Sequence, residues 1–154
     1  MVTLNPMNQE EYEQYISYAI EDYAKDKVAS GNWSEEESID RSRQEFARLL
    51  PKGEKSEFNH LYSIFHDEQH IGMIWIAPMS PTNYEEGFIY DFMIKEPFQG
   101  QGYGKQSMQE IEVKAKELGM KKIGLHVFGH NQVARGLYEK MGYEITNINM
   151  KKIL

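Results

Sequence analysis

Gln99-Gly100-Gln101-Gly102-Tyr103-Gly104-Lys105 joins an apolar run, Phe88-Ile89-Tyr90-Asp91-Phe92-Met93-Ile94, to an amphipathic stretch over 103–118. The run reads as a strand and the stretch as a helix. A glycine-rich strand-to-helix junction suits an anion. Glycine lets the backbone approach closely, and the unpaired N–H groups of a first helical turn point outward along the helix dipole. Two nucleotide spacings fail here. In G-x-G-x-x-G, counted from Gly100 and Gly102, the third glycine position is Lys105. In G-x-x-x-x-G-K-[ST], ending at Gly104-Lys105, the first glycine position is Gln99 and the hydroxyl position is Gln106. Taken alone, the segment also fits a turn whose glycines serve shape only.

The flanking sequence supplies the rest of a fold. Upstream, a short strand is predicted over 2–5. A capping box at Asn8-Gln9-Glu10-Glu11 opens a helix carrying Tyr12, Tyr15, Ile16, Ala19, Ile20 and Tyr23. A second box, Ser34 to Glu37, opens another helix that closes at Pro51-Lys52-Gly53. Strands follow over 61–65 and 71–76, then a loop over 78–86 and the strand 88–94, which has little polar relief and so reads as central. Downstream, Gly119 ends the long helix, 122–128 is a strand, 132–141 a helix closed by Gly142, and 143–150 a last strand. The order β-αα-βββ-α-β-α-β predicts a mixed α/β sheet.

Composition bounds the function. The 154 residues carry 17 Lys+Arg against 24 Asp+Glu, a net charge of −7, and no cysteine. That length fits a single domain over 1–154. Without cysteine there is no thiol nucleophile, cysteine-held metal or disulfide. The acidic balance disfavours a nucleic-acid partner and is compatible with an amine substrate, although solubility alone explains it equally well. No apolar run is long enough to span a bilayer, and 1–6 has neither the basic nor the apolar part of a secretion signal, so a cytoplasmic protein without a membrane partner is expected. His66 and His70, and His126 and His130, are each four apart. They fall across a turn and from strand to loop, and no H-E-x-x-H occurs, so no metal site is expected.

Two blocks together are more specific than either alone. Gln99-x-x-Gly102-x-Gly104, preceded by Ile94-Lys95-Glu96-Pro97-Phe98, resembles the Q/R-x-x-G-x-G/A signature of the GNAT acetyltransferases. Asn131-Gln132-Val133-Ala134-Arg135-Gly136-Leu137-Tyr138-Glu139-Lys140-Met141-Gly142-Tyr143 is similar to that family's N-x-x-A-x-x-L-Y-E-K-x-G-F/Y block. The residue-level match covers about 88–143. The first sixty residues match only as helices.

The resemblance implies a GNAT-like fold with helices on both faces of a mixed sheet, and acetyl-CoA as co-substrate. It implies an acyl-CoA-dependent N-acyltransferase acting by direct attack in a ternary complex. The N–H groups of Gly100, Gln101, Gly102, Tyr103, Gly104 and Lys105 would hold the pyrophosphate, with Gln99 bracing the loop. Lys105 fits a phosphate partner and a solvated first-turn lysine equally. Backbone groups at Met93 and Ile94 would pair with the pantetheine arm and polarise the thioester, and Asn131 would cap its helix and hold the arm. Tyr138 matches the position of the acid that protonates the thiolate. Its plain alternative is a core tyrosine on the face of Val133, Leu137 and Met141.

The base stays open among His126, Asp91 and ordered water, with Glu86 behind them. His126 lies in a strand, opposite in face to Leu125 and Val127, with an ordinary pKa suited to neutral pH. Asp91 is a lone carboxylate in an apolar run. The tyrosines of the first helix and Trp33 read first as core. Glu21, Asp22, Asp26 and Glu35–Glu37 fit either attraction of a cationic acceptor or helix capping. The acceptor is an amine-bearing small molecule or peptide. A CoA-binding regulatory module on the same fold is the rival reading, and a P-loop hydrolase a poor third. Family habit allows a homodimer through the last strand or a helix face.

Overall fold

The computed structural model describes residues 1–154. Its elements are β1 (Val2–Pro6), α1 (Gln9–Ala29), α2 (Glu35–Leu49), β2 (His60–His66), β3 (Gln69–Ser80), β4 (Asn83–Ile94), α3 (Tyr103–Glu117), β5 (Lys122–Leu125) and α4 (Gln132–Lys140). The strands form one sheet in sequence order, antiparallel from β1 to β4 and parallel between β4 and β5.

Side-chain alternation sorts the core onto the two faces. Ile64, Ile74, Ile76 and Ile89 pack with Met108, Ile111 and Ala115 of α3. Leu61, Met73 and Trp75 pack with Tyr15 and Ala19 of α1 and Phe46 of α2. Helices therefore cover both faces, as expected. α1 opens with the predicted capping box: Glu11 N donates to Asn8 Oδ1 at 2.8 Å and Asn8 N to Glu11 Oε1 at 3.0 Å. The second box does not form. The Ser34 hydroxyl donates to the Glu37 carboxylate at 2.8 Å, and Arg41 holds that same carboxylate at 2.6 Å, one turn on.

Three boundaries differ from the sequence reading, each for a pairing reason. The predicted loop over 78–86 is instead the closed end of the β3–β4 hairpin, where Ser80 faces Asn83. Pro78 is tolerated because β2 reaches only to Ile76, so its missing N–H leaves no neighbour unpaired on that side. β5 stops at Leu125 rather than Phe128. Tyr90 has no opposite residue in β3, since Trp75 faces Asp91 and Ile76 faces Ile89. This β-bulge bends β4, and its parallel ladder with β5 ends at Ile89 and Leu125. The third difference is the predicted strand over 143–150. Beyond Tyr143 no residue makes a backbone–backbone hydrogen bond, and the outer edge of β5 stays open.

Candidate functional site

Past the bulge, β4 and β5 diverge and a cavity of about 450 Å³ opens between them. β4 lines it with Tyr90 to Met93, the segment after β5 with His126 to Phe128, and α4 with Ala134 and Tyr138, four apart and so on one face. α1 and α2 close the opposite side. The structure thus brings Asp91, Met93, His126, Asn131 and Tyr138 around one space. Residues 99–105 are not part of its wall. They follow the end of β4 after a short 3-10 turn, Glu96–Phe98.

The divergence frees the β4 edge that would otherwise meet β5. Lys95 N donates to Ile71 O of β3 at 2.8 Å. By alternation the Met93 amide shares that β3-facing edge, and the Phe92 and Ile94 amides face the opening. Of the two positions expected to meet a co-substrate arm, Ile94 turns its amide to the opening and Met93 turns its amide to β3. Phe92 N donates to the Asp91 carboxylate at 2.9 Å, and Ile94 O accepts from Gln99 Nε2 at 2.8 Å. The Gln99 side chain thus ties the start of the loop to the end of β4.

The loop itself has the form an anion needs. Gly100 and Gly102 have φ of 76° and 85°, the left-handed region, where a side chain is strained. Gly102 is the N-cap of α3, and Gln106 N, which donates to Gly102 O, is the first amide of the helix to find a backbone acceptor. None of the backbone N–H groups from Gly100 to Lys105 donates to another group of the protein. Lys105 is exposed and has no carboxylate within ion-pair reach, so its charge faces no counter-charge of the chain.

Asn131 caps α4, accepting from Ala134 N at 3.3 Å. Tyr138 is half-buried. Burial, helped by the charge of Asp91, pushes its phenol up to about 12, so it is protonated at neutral pH. Of the expected core face, Leu137, Tyr138 and Met141 do pack against the α3-side core, whereas Val133 is 88% exposed. Asp91 lies on the α1 side, where Tyr15 Oη donates to it at 2.6 Å. Burial raises its pKa, and the bonds from Tyr15 and Phe92 oppose that rise. His126 sits at the rim, edge-on to Phe128 with centroids 4.8 Å apart. Desolvation and then the Lys27 ammonium lower its pKa, leaving a neutral imidazole at pH 7. Glu86 is taken up at the far end of β4 by Lys122, 3.7 Å away.

A family model described as the acetyltransferase (GNAT) family matches residues 10–143. The chain belongs to the GNAT acetyltransferase family. It is 40% identical over 154 residues to YycN of Bacillus subtilis, an uncharacterized N-acetyltransferase, covering 99% of each chain. YdgE, an uncharacterized N-acetyltransferase of the same organism, is 37% identical over 155 residues, covering 99% of this chain and 98% of that one. The crystal structure of YycN superposes with a TM-score of 0.95 over 100% of this chain and 99% of that one. A GNAT acetyltransferase of Elizabethkingia anophelis, solved with acetyl-CoA bound, is 26% identical, with a TM-score of 0.58 over 70% of this chain and 65% of the other. No helix of this GNAT protein is long and apolar enough to cross a membrane.

The sequence offers Asp22 and Asp26 for a cationic acceptor; Tyr15 behind the cavity, and Tyr18 and Glu45 in its wall, escape a reading of the sequence. Tyr15 looks like core, and is only 2% exposed, yet its hydroxyl ends on Asp91. Tyr18, Asp22 and Asp26 line the cavity together with Glu45 of α2. The first three recur on α1 at intervals of four, which was the available signal. Glu21 and Glu35–Glu37 do not reach it.

Proposed function

We propose that this GNAT protein transfers acetyl from acetyl-CoA to the primary amine of a small molecule or peptide by direct attack in a ternary complex. The observation that carries the reading is the row of six consecutive backbone amides, Gly100 to Lys105, without a protein acceptor, beside a β4 edge freed by the Tyr90 bulge. The first suits a pyrophosphate. The second suits an extended arm that adds as a strand, as the pantetheine of the co-substrate would. The relative solved with acetyl-CoA bound supports the same assignment.

Acetyl-CoA supplies an activated acyl group; the chain supplies position and proton transfer. Ile94 offers its backbone at the open edge. The Phe92 amide faces the same edge and becomes available to polarise a carbonyl when Asp91 releases it. The amine nitrogen forms its bond to the carbonyl carbon as the carbon–sulfur bond breaks. A neutral His126 or an ionised Asp91 takes the amine proton, directly or through water, and the Tyr138 phenol gives a proton to the leaving sulfur. Asp22, Asp26, Glu45 and Asp91 outnumber the single Lys27 around the cavity, a field that favours an ammonium-bearing acceptor.

The test is free-thiol release from acetyl-CoA across amines, polyamines, amino sugars and short peptides, with acetyl-CoA binding titrated in parallel. Turnover on one amine class is the expected result and identifies the acceptor. Binding without turnover on any of them transfers the reading to a CoA-binding regulatory module. Absence of acetyl-CoA binding overturns both.

A further inference from the structure

The hydroxyl of Tyr15 makes one hydrogen bond, and its partner belongs to the cavity wall. The Tyr15 ring is buried, edge-on to Tyr18 and Phe46 with centroids 5.8 and 6.4 Å apart. From that fixed ring Oη donates to Asp91 Oδ2 at 2.6 Å. The other oxygen, Oδ1, accepts from Phe92 N at 2.9 Å. Both oxygens are therefore held by the chain, which fixes the orientation of the carboxylate. It is not used up. An ionised carboxylate offers about four acceptor sites, and two of them are taken. None of the chain's ion pairs includes Asp91. Tyr15 is sealed in the core, but Asp91 is half-buried and lines the cavity.

Packing alone does not ask for this pair. Replacing both members of a buried polar pair by apolar groups of the same shape is often neutral or stabilising. Phenylalanine would fill the same space between Tyr18 and Phe46. A carboxylate with no counter-charge, set in a cavity wall, is instead suited to a cation from outside the chain. Tyr18 and Trp75 line the same space, and Trp75 faces Asp91 across the β3–β4 ladder. Aromatic faces attract organic ammonium groups.

We propose that Asp91 anchors the ammonium group of the acceptor and that Tyr15 is a positioning residue, holding that carboxylate turned to the cavity. The inference rests on the acetyl-transfer reading for the ligand's being an acceptor. The binding of an amine can be read without acetyl-CoA.

The test is calorimetric titration of the full chain, without acetyl-CoA, with 2-phenylethylamine and with its uncharged analogue 2-phenylethanol. At pH 7 the amine is expected to bind about tenfold more tightly than the alcohol, the worth of one charged hydrogen bond. Asp91→Asn is expected to remove that preference. Acid is expected to remove it too, as the carboxylate takes a proton. A bond donated to the ionised form favours that form, so in Tyr15→Phe the preference is expected to be lost at a higher pH. Tyr18, Asp22, Asp26 and Lys27 of α1, Glu45 of α2, Tyr138 of α4 and His126 also face the cavity. The Tyr15 hydroxyl bonds none of them, so the displaced midpoint reports Asp91. Tyr15→Phe keeps the ring, and its circular dichroism spectrum is expected to be unchanged. Tyr15→Phe combined with Asp91→Asn is expected to match Asp91→Asn alone. Absence of amine binding, or equal binding of amine and alcohol to the unaltered protein, overturns the inference. So does a preference that survives Asp91→Asn, or a Tyr15→Phe midpoint that does not move. The expected pattern in a protein that fails to bind acetyl-CoA keeps the anchor and overturns the transfer reading.

Discussion

At the α3 end of the cleft the polar groups are backbone amides of six consecutive residues, Gly100 to Lys105, and none has a partner in the chain. At the α1 end they are side chains, and they are already bonded to one another. Tyr15 reaches Asp91 across 76 residues of sequence, Asp91 also holds Phe92 N, and His130 Nε2 lies 3.0 Å from Asp26. The first arrangement, proposed to take an anion of fixed shape, needs only glycine in the right order. The second is set by the packing of α1 on the sheet, so it can change with the acceptor while the loop stays as it is.

Perturbing each end in turn tests that division. The largest effect is expected from Tyr138→Phe, which removes the proposed proton donor without altering the loop. kcat should fall about 10²-fold or more, with the dissociation constant for acetyl-CoA unchanged. A parallel loss of cofactor affinity would place Tyr138 in binding instead. Next is Gly102→Val, which puts a branched side chain at φ of 85° beside the free amides. Affinity for CoA should fall about tenfold, or roughly 1.4 kcal/mol, with kcat at saturation little changed.

A smaller effect is expected from pH. The imidazole of His126 titrates below its ordinary 6.5, so it is the free base at neutral pH and is lost only as the solution becomes more acidic. The rate should therefore hold at pH 7 and fall below 6.5. His126→Gln should abolish that fall; if the acid limb survives in the variant, Asp91 or water carries the proton. The smallest effect concerns stability. The pKa of Asp91 is raised above its ordinary 3.8 in the folded chain. Its stabilising contribution is thus present below 3.8 and lost as pH rises through the folded value. Asp91→Asn should accordingly raise Tm at neutral pH, with the gain shrinking towards pH 3, even as acetyl transfer weakens. An equal gain at both pH values would show that desolvation of the carboxylate is not the cause.

The same division explains what could be read before any coordinates. The loop, the Asn131 cap and Tyr138 are specified by residues within a few positions of each other, so the sequence names them. Both helical layers were legible as well, from the apolar stripes of α1 and α3. The Tyr15–Asp91 bond was not, because a tyrosine at a core spacing looks the same whether or not its hydroxyl meets a carboxylate on another element. The strand expected over 143–150 has strand-like residues but lacks a ladder in its own chain. The Ser34 box is replaced by a side-chain pair, since the Ser34 hydroxyl donates to the Glu37 carboxylate and caps no backbone amide.

The single extra residue in β4 has a consequence for parity. Ile89 and Ile94 both pack on the α3 side although they are five apart, an odd separation that an unbroken strand would place on opposite faces. Tyr90 absorbs the difference. Deleting it would restore regular alternation, with Asp91 still opposite Trp75 on the α1 side and Ile94 still beneath α3. The β4–β5 ladder would lose its reason to stop at Leu125. One codon therefore separates an open cleft from two strands that could stay paired along their length.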